Sequence, residues 1–461
     1  MNTSLSRPLP ASTTDPFQTA REAFVQRLPE HFERLAWSAD RLRAHQTTAL
    51  RALLRVALES SPFHASRLAP HAGSVDEFEL EDLERLPVMT KAQMMARYDD
   101  VVTDRRLTAG TVNAFLAAAG PEPTALLDEF LVLASGGSSG TRGMYVQHMR
   151  HVPDYVASIL RGGLARIGRG AVPRGVRFTL VAAHSSVHAT RATPPVCAGS
   201  IGSVTYVPAT LDISTIVQRV QQSGPMVLVG YAGALLALAQ EQLAGRLAIH
   251  PLMILSTSEQ LTSAAAARMT EAFGIPPANA FGSSEGLNGG APPGDTVFTF
   301  ASDMAHVEFV DEGERPVPPG TPAHHVLMTN LLNTTQPLIR YRMDDAMTQQ
   351  PPLPGIGHVR ATVEGRTDEF VRLGDRDVHP HVVRSVLLRR AEISEYQVRS
   401  GGRILAVDLV VSARVDTDAI ARDLAASMAV AGVPDVDARV RVVDAVERDA
   451  RSGKAWRFGT L

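Results

Sequence analysis

At 461 residues the chain is too long for one ordinary hydrophobic core, so two to four structural units are expected. Hydrophobic residues make up 44% and charged residues 20%, which is close to average globular usage and excludes a disordered or fibrous protein. Lys plus Arg number 45 against 48 Asp plus Glu, and a net charge of -3 provides no basic field for nucleic acid.

The only cysteine, Cys197, excludes an internal disulfide and a cysteine-rich metal site. Its isolation favours the reducing cytoplasm. The first residues hold no apolar run of signal-peptide length, and no run approaches the ~18 residues of a spanning helix. We therefore expect a cytoplasmic protein with neither a membrane nor a nucleic-acid partner.

Predicted helices and strands alternate along the chain. Residues 15–55 have apolar side chains at mixed three- and four-residue spacing among charges, which predicts helices. Further on, β-rich runs alternate with helical runs, which predicts an α/β layer fold with a largely parallel sheet. In chain order these runs are VRFTLVAA, STIVQRVQQS, MVLVGYA, ALLALAQEQLAG, LMILST and AAARMTEAF.

The pattern changes near Gly365. The runs that follow predict a β-α-β-β-α-β unit of about 95 residues, a small C-terminal domain. Three parts are therefore expected. They are residues 1–125, with the helical lead and the start of the large domain, residues 126–366, the α/β nucleotide- and substrate-binding core, and residues 367–461, the small domain.

A loop rich in Gly, Ser and Thr, ASGGSSGTRG at residues 134–143, follows the strand-like run FLVL. Glycine permits a close backbone approach, so several N–H groups and hydroxyls can point at one anion. Phosphate binding is the functional interpretation, and a surface turn is the alternative because such loops are common. The loop lacks the Lys of the GxxxxGK[ST] motif.

Two carboxylates mark further candidate sites. Glu285, in the turn-like segment AFGSSEG, could bind the Mg2+ of a nucleotide, with a solvated polar turn as the alternative. Asp345, after the strand-like run LIRY, could accept hydrogen bonds from two ribose hydroxyls, with a salt bridge to Arg340 or Arg342 as the alternative. The remaining motifs are EGRTDEF (364–370) and RSGKAWRF (451–458).

The order and spacing of these motifs resemble the adenylate-forming (ANL) superfamily and, within it, the phenylacetate-coenzyme A ligase branch. The resemblance covers nearly everything from about residue 60. It implies a large N-terminal adenylate-forming domain with a helical lead segment and a small, mobile α+β C-terminal domain. The matching segments are SSPFHASRL, DLERLPVMTK, STSEQLT, FGSSEG, TNLLNTTQPLIRYRMDD, GRTDEF and SGKAWR.

The resemblance implies roles for the matching positions. Asp345 would bind the ribose, Arg366 the ribose and phosphate, and Ser258 and Glu259 would lie beside the adenine. The ATP phosphates would be held by Ser138, Ser139, Gly140 and Thr141. The remaining nucleotide-binding positions would be Phe281, Gly282, Ser283 and Ser284.

The chemistry implied by the resemblance explains the catalytic set of Lys454, Glu285 and Arg366. A carboxylate that attacks an α-phosphate brings two anions together, so an ammonium and Mg2+ must offset the repulsion in the transition state. Lys454 would bridge the substrate carboxylate and the α-phosphate, and Glu285 would face Mg2+. Asp368 would be the hinge about which the small domain rotates between two half-reactions.

Two positions depart from the family pattern. The phosphate loop usually continues as Thr-Gly-Lys, whereas here Arg142 and Gly143 follow Thr141, so Arg142 would supply the missing charge. An ungapped count from Gly365 places Gly374 and Asp375 where the family has Arg-Gly in the loop that lines the pantetheine tunnel. Asp375 would crowd and repel the thiol arm, unless a shift by one residue returns Gly374 to that role.

Histidines at close spacing give a weaker signal. His184 and His188 are four residues apart, and His379 and His381 flank Pro380, yet no third ligand accompanies either pair. A metal site is therefore not the favoured interpretation. His184 and Arg191 could instead line an acid pocket, with solvated loop residues as the alternative.

The sequence thus predicts an ATP- and Mg2+-dependent biosynthetic ligase that activates a small aromatic carboxylic acid as acyl-AMP and passes it to coenzyme A. The first alternative is the same adenylation with an amine, a carrier-protein thiol or nitrite as acceptor, any carrier acting in trans. The second is a nucleotide-binding relative without turnover. The presence of both Glu285 and Lys454 argues against it, because binding alone does not require a catalytic lysine. A homodimer is left open.

Overall fold

The computed structural model describes residues 15–120, 122–134, 143–182, 190, 194–366, 371–378, 381–387, 390, 392–448 and 455–461. The helical lead segment is confirmed. Asp15 caps its first helix by accepting the Phe17 N–H at 3.0 Å, and Ser38 caps the second by accepting the Arg41 N–H. The helices of this part are α1 (Pro16–Arg34), α2 (Ala39–Ser60), α3 (Pro62–Ala72), α4 (Lys91–Ala96), α5 (Tyr98–Val101) and α6 (Ala109–Ala118), with 3-10 helices at Val75–Glu77 and Leu80–Arg85.

A nine-stranded sheet forms the centre of the large domain, and its β/α alternation agrees with the predicted α/β class. Two of its parallel strands, residues 176–182 and 253–257, are short and almost fully buried, as expected for strands covered on both faces. The elements in this part are α7 (Val152–Ile167), β3 (Val176–Ala182), α8 (Pro194–Cys197), β4 (Gly202–Pro208), α9 (Ile213–Ser223), β5 (Val227–Gly230), α10 (Ala232–Leu243), β6 (Met253–Thr257), α11 (Ser263–Phe273), β7 (Ala278–Gly282), β8 (Asn288–Ala291) and β9 (Val297–Phe300), after a 3-10 turn at Met149–His151.

The large sheet is parallel on one side and antiparallel on the other. Its order is β13-β14-β9-β8-β7-β6-β5-β3-β4, and the pairs from β4 to β7 are parallel. From β7 onward every pair is antiparallel. The further strands of the large domain are β1 (Phe130–Ala134), β2 (Met144–His148), β10 (Ala305–Val310), β11 (His325–Asn330), β12 (Tyr341–Met343), β13 (Asp345–Gln350) and β14 (Arg360–Arg366).

The C-terminal domain has its own hydrophobic core, built from residues of 371–436. Its four-stranded sheet has the order β19-β18-β17-β20, and the first predicted strand is a hairpin of two strands rather than one. The last strand, β20, pairs in parallel with β17 and was not predicted. The elements are β15 (Val371–Leu373), β16 (Arg376–Val378), α12 (His381–Leu387), β17 (Ile393–Gly401), β18 (Ile404–Val411), α13 (Thr417–Val430), β19 (Asp437–Val442) and β20 (Phe458–Thr460).

A buried ion pair fixes the lead helices to the large domain. Asp303, whose carboxylate is fully buried, accepts from both terminal nitrogens of Arg161 at 2.8 and 2.6 Å and from Arg34 at 3.3 Å. These guanidinium groups hold the pKa of Asp303 well below its ordinary value, despite the opposing effect of burial. α1 is therefore fastened to α7 by charge as well as by apolar contact.

Cys197 lies at the end of α8 and is 3% exposed. Burial raises the pKa of its thiol to about 12.

None of the described helices is both long enough and apolar enough to span a bilayer.

Candidate active site

Glu285 lies in a tight turn that joins β7 to β8. The Ser283 N–H donates to the carbonyl oxygen of Leu287 at 3.1 Å, and the Leu287 N–H donates to the Ser283 hydroxyl at 3.0 Å. Gly286 has φ +106, and a Cβ atom placed there would lie 2.2 Å from Nδ2 of Asn330. That amide donates to the carbonyl oxygen of Glu285 at 2.8 Å, so the glycine lets Asn330 hold the turn from outside.

A pair of tyrosines holds one side of the Glu285 carboxylate. The Tyr145 hydroxyl donates to Oε1 of Glu285 at 2.7 Å and lies 2.9 Å from the Tyr341 hydroxyl. Burial raises the pKa of Tyr145 well above its ordinary value, and the charge of Glu285 raises it further. Tyr145 therefore stays protonated and remains a donor to the carboxylate.

The other oxygen of this carboxylate, Oε2, accepts no hydrogen bond within the part of the chain that the structure describes. The side chain of Glu285 is half-buried. Mg2+ in nucleotide sites takes one or two carboxylates from the protein, with phosphates and water supplying the other ligands. A single carboxylate with one oxygen already oriented and the other unengaged fits that requirement. The described residues contain no cluster of three or more acidic, His or Cys side chains suited to a metal.

The other residues of the FGSSEG motif surround this turn. The Phe281 ring meets Phe298 and Phe300 edge to face, with centroids 6.2 and 5.5 Å apart. Gly282, the last residue of β7, is exposed, and Ser284 is half-buried. Ser283 also accepts, through its carbonyl oxygen, the Tyr155 hydroxyl at 3.2 Å. The motif thus forms a rigid sheet end next to Glu285.

The predicted phosphate-binding residues Ser138, Ser139, Gly140, Thr141 and Arg142 lie outside the described residues. The two flanking strands, β1 and β2, form an antiparallel hairpin whose last described pair is Ala134 with Met144. Tyr145 is the second residue of β2. The described end of this hairpin is therefore one residue away from the tyrosine that binds Glu285.

Asp345 and Arg366 are opposite each other in the antiparallel pair of β13 and β14. Side chains of directly opposed residues leave the sheet with Cβ atoms about 5 Å apart, and Asp345 is half-buried. The side chain of Arg366 lies outside the described part. The register brings together the two positions that sequence motifs assigned separately to the ribose.

The strand predicted over LIRY begins only at Tyr341. Arg340 adopts a left-handed conformation with φ +48, so the strand cannot extend back through Arg340 to Leu338 and Ile339. Its guanidinium is buried and pairs with Glu308 at 3.0 Å, so the predicted alternative of an Arg340 salt bridge with Asp345 is wrong. Arg340 thus serves packing and leaves Asp345 to other partners.

Glu259 and its neighbour Ser258 lie directly after β6. Ser258 is exposed and has φ +63, while the Glu259 side chain is 1% exposed. Oε2 of Glu259 accepts the Gly233 N–H at 2.8 Å, and Oε1 accepts the Ala455 N–H at 2.8 Å and Arg448 at 3.3 Å. The carboxylate therefore joins the large domain to the C-terminal domain. The placement of both residues beside adenine stays a prediction.

Lys454, Asp368 and the paired histidines His184, His188 and His379 lie outside the described residues, as does Arg191. His381 begins α12, and its side chain is likewise outside them. The described flanks of Lys454 are Arg448 and Ala455, which form an antiparallel bridge.

Sequence reasoning missed several residues around the site. Tyr145, Tyr341 and Asn330 come from three different strands. Asn330 and Tyr341 lie in the matching segment TNLLNTTQPLIRYRMDD, but neither was given a role. A count of lysines would have identified Lys91, because only two of the 45 Lys and Arg residues are lysines, at positions 91 and 454. One lysine is at the predicted catalytic position, and Lys91 is the other.

Lys91 begins α4, and its residue is 9% exposed. Two positions earlier, Met89 joins β12 by accepting the Arg342 N–H and donating to the Arg340 carbonyl oxygen, both at 2.9 Å. Tyr341, which contacts Tyr145, stands between those two residues. Within the described ranges the Lys91 ammonium makes no hydrogen bond or ion pair, and it is not fully enclosed. A buried stem thus carries an ammonium that has no partner among the described residues, two positions after a residue that pairs with β12.

No protein-family model and no curated protein matches the chain. The fold nevertheless matches solved structures of 2-hydroxyisobutyryl-CoA ligase. In its postadenylation state with R3-HIB-AMP the TM-score is 0.66 at 17% identity, over 93% of this chain and 90% of that chain. In its thioesterification state with 2-HIB-AMP and CoA the TM-score is 0.55 at 17% identity, over 93% and 91%.

A third solved structure, the ATP-bound RpMatB-BxBclM chimera B3, matches with a TM-score of 0.50 at 15% identity, over 69% of this chain and 65% of that chain. The chain therefore shares the fold of these solved structures, a large N-terminal α/β domain with a smaller C-terminal domain, as the sequence predicted.

Proposed function

We propose that the protein is an ATP- and Mg2+-dependent ligase, similar to the phenylacetate-CoA ligase branch, that converts a small aromatic carboxylic acid into its acyl-adenylate. The observation that carries this proposal is the Glu285 turn, in which Tyr145 and Asn330 fix a carboxylate with one unengaged oxygen. A similarity over nine-tenths of the chain to a ligase with a bound acyl-AMP supports it.

The proposed reaction needs cations around the phosphates. The acid's carboxylate oxygen attacks the α-phosphorus of ATP, the bond to the bridging oxygen breaks, and pyrophosphate leaves with the electron pair. Glu285 would hold Mg2+, which neutralises phosphate charge when bound. Lys454 would stabilise the attacking carboxylate and the α-phosphate, and Asp345 with Arg366 would fix the ribose.

The experiment that tests the proposal is a pyrophosphate-release screen over aromatic and aliphatic carboxylic acids, each with ATP and Mg2+. Coenzyme A, amines and nitrite are then added in turn as acceptors. We expect release with at least one aromatic acid. ATP binding in isothermal titration without release from any acid would instead identify a nucleotide-binding relative without turnover.

Coenzyme A is the proposed acceptor. The hairpin of β15 and β16 is relevant to this choice because it contains Gly374 and Asp375, the positions that the resemblance assigns to the pantetheine tunnel. Gly374 and Asp375 form its two-residue turn, with φ +65 at Gly374, and both are exposed. An exposed Asp375 is compatible with the register in which Gly374, and not Asp375, would line the thiol path. A carrier protein, a homodimer and a cytoplasmic location stay predictions.

Asp375→Gly is expected to leave both half-reactions within about twofold of the wild type, since an exposed turn carboxylate interacts only weakly. Thioester formation from acid, ATP and coenzyme A is measured at saturating and limiting coenzyme A. A large gain in thioester rate in the variant, with adenylation unchanged, would show that Asp375 obstructs coenzyme A and would favour a different acceptor.

Lys91 is proposed to contact the polyphosphate of ATP. Its ammonium has no partner among the described residues and follows the segment that pairs with β12, so it can replace the lysine that the phosphate loop lacks. Lys91→Met keeps the apolar stem and removes the charge. We expect about a tenfold higher KM for ATP, because the variant loses one charged hydrogen bond to the polyphosphate. The control is Arg97→Met, an exposed cation at the other end of α4. Equal KM values in Lys91→Met and the wild type would exclude the contact.

A further inference from the structure

We infer that Glu259 and Arg448 form a clasp that holds the C-terminal domain against the large domain in the orientation used for adenylation. The inference rests on the proposed function for the role of Lys454. Both residues act through others, so they are positioning residues. The Glu259 clasp consists of Glu259, Gly233, Arg448 and Ala455.

One buried carboxylate holds three donors from two domains. Gly233 lies in the first turn of α10, whose N-cap residue Tyr231 provides no side-chain cap. Glu259 supplies that cap by accepting the Gly233 N–H at 2.8 Å, where the positive end of the helix favours a carboxylate. Its other oxygen accepts the Ala455 N–H at 2.8 Å and Arg448 at 3.3 Å. The large domain thereby holds the C-terminal domain at positions 448 and 455.

Arg448 is shared between two carboxylates. Its second terminal nitrogen donates to Oε1 of Glu395 at 2.9 Å, and Glu395 is itself 9% exposed. Removing the guanidinium would leave two buried carboxylates with less compensating charge, which is costly. Arg448 and Ala455 also pair as an antiparallel bridge, so these two positions meet at the clasp.

The large domain is shaped to receive this arginine. A Cβ atom on Gly233 would lie 1.9 Å from one terminal nitrogen of Arg448. Every residue other than glycine would therefore displace the guanidinium. Gly233 is helical with no positive φ, so the missing side chain serves the close approach of Arg448 and not the backbone conformation.

The clasp is also able to open. The Arg448 side chain is 29% exposed, so water can solvate it when the domains separate. Neutral contacts flank it: Tyr396 donates to Gln260 at 2.7 Å, and Thr262 donates to the Ser394 carbonyl oxygen at 2.8 Å. The charged contacts therefore select one orientation of the small domain without locking it.

Two variants test the clasp from opposite sides. Arg448→Met removes the charge, and Gly233→Ala fills the space while favouring the helix. The control is Arg441→Met, which removes an exposed arginine that pairs with Asp408 inside the small domain. The two half-reactions are measured separately, as pyrophosphate release from acid and ATP and as consumption of a supplied acyl-adenylate.

We expect both clasp variants to slow pyrophosphate release about tenfold, because each loses about one charged hydrogen bond. The change should appear in kcat rather than in KM. Consumption of the acyl-adenylate should be unchanged or faster. Amide hydrogen exchange, followed by mass spectrometry, should speed up in peptides containing Gly233 and Ala455. Arg441→Met should change none of these.

Unchanged exchange at Gly233 and Ala455 with unchanged pyrophosphate release would overturn the clasp, as would equal slowing of both half-reactions. A wild-type protein that releases no pyrophosphate from any acid would contradict the proposed function instead. The exchange measurement needs no substrate, so the two failures are distinguishable.

Discussion

Replacing Lys454 by alanine is expected to slow acyl-adenylate formation by about two orders of magnitude, because a charged donor in a transition state of this kind contributes about 3 kcal/mol. Consumption of a supplied acyl-adenylate should stay close to the wild-type rate, since that step no longer joins a carboxylate to a phosphate. Pyrophosphate release and single-turnover transfer from a synthetic acyl-adenylate measure the two steps separately.

The matched control is Arg451→Ala, which removes a cation three residues away in the same segment. It should retain most of the adenylation rate, because the resemblance assigns the bridging role to Lys454 alone. If Lys454→Ala slows both half-reactions equally, the model in which one chain uses two domain orientations is wrong.

Glu285→Gln is expected to reduce pyrophosphate release about a hundredfold at limiting Mg2+, since an amide is a poor ligand for a hard cation where phosphate charge accumulates. The substitution preserves size, and the amide oxygen can still accept the Tyr145 hydroxyl, so the turn should persist. Raising the Mg2+ concentration should restore part of the rate. Release is measured across a Mg2+ titration at saturating ATP and acid.

The control for this variant is Glu271→Gln, the same change at an exposed position of α11. It should leave the Mg2+ dependence of the wild type unaltered. If Glu285→Gln matches the wild type when Mg2+ is limiting, Glu285 is not part of the nucleotide site.

The alternating strands and helices were predictable because each strand is a short apolar run and each helix carries its own periodicity. The run MVLVG, for example, gives the buried strand β5. The break at Arg340 was not predictable, because its left-handed backbone is held by tertiary bonds to Glu308 and to the carbonyl oxygen of Leu86. Local sequence carries no record of such partners.

The same limit applies to the site. The FGSSEG motif indicated a turn that carries a carboxylate, since Gly and Ser mark turns. Its tyrosine partner is 140 residues away, and Arg448 is 189 residues from Glu259. Such pairs depend on how strands and domains assemble, which one sequence without comparison cannot reveal. Lys91 is an exception, because its rarity is visible in composition alone.

Cys197 has a practical consequence. Its thiol is buried and has a pKa of about 12, so thiol-directed dyes will scarcely react with the native protein. Two reporter cysteines, one on exposed α9 and one on exposed α13, could therefore be labelled as a fluorescent pair without first removing the native thiol. Energy transfer between them would follow domain rotation during turnover in an otherwise unaltered chain.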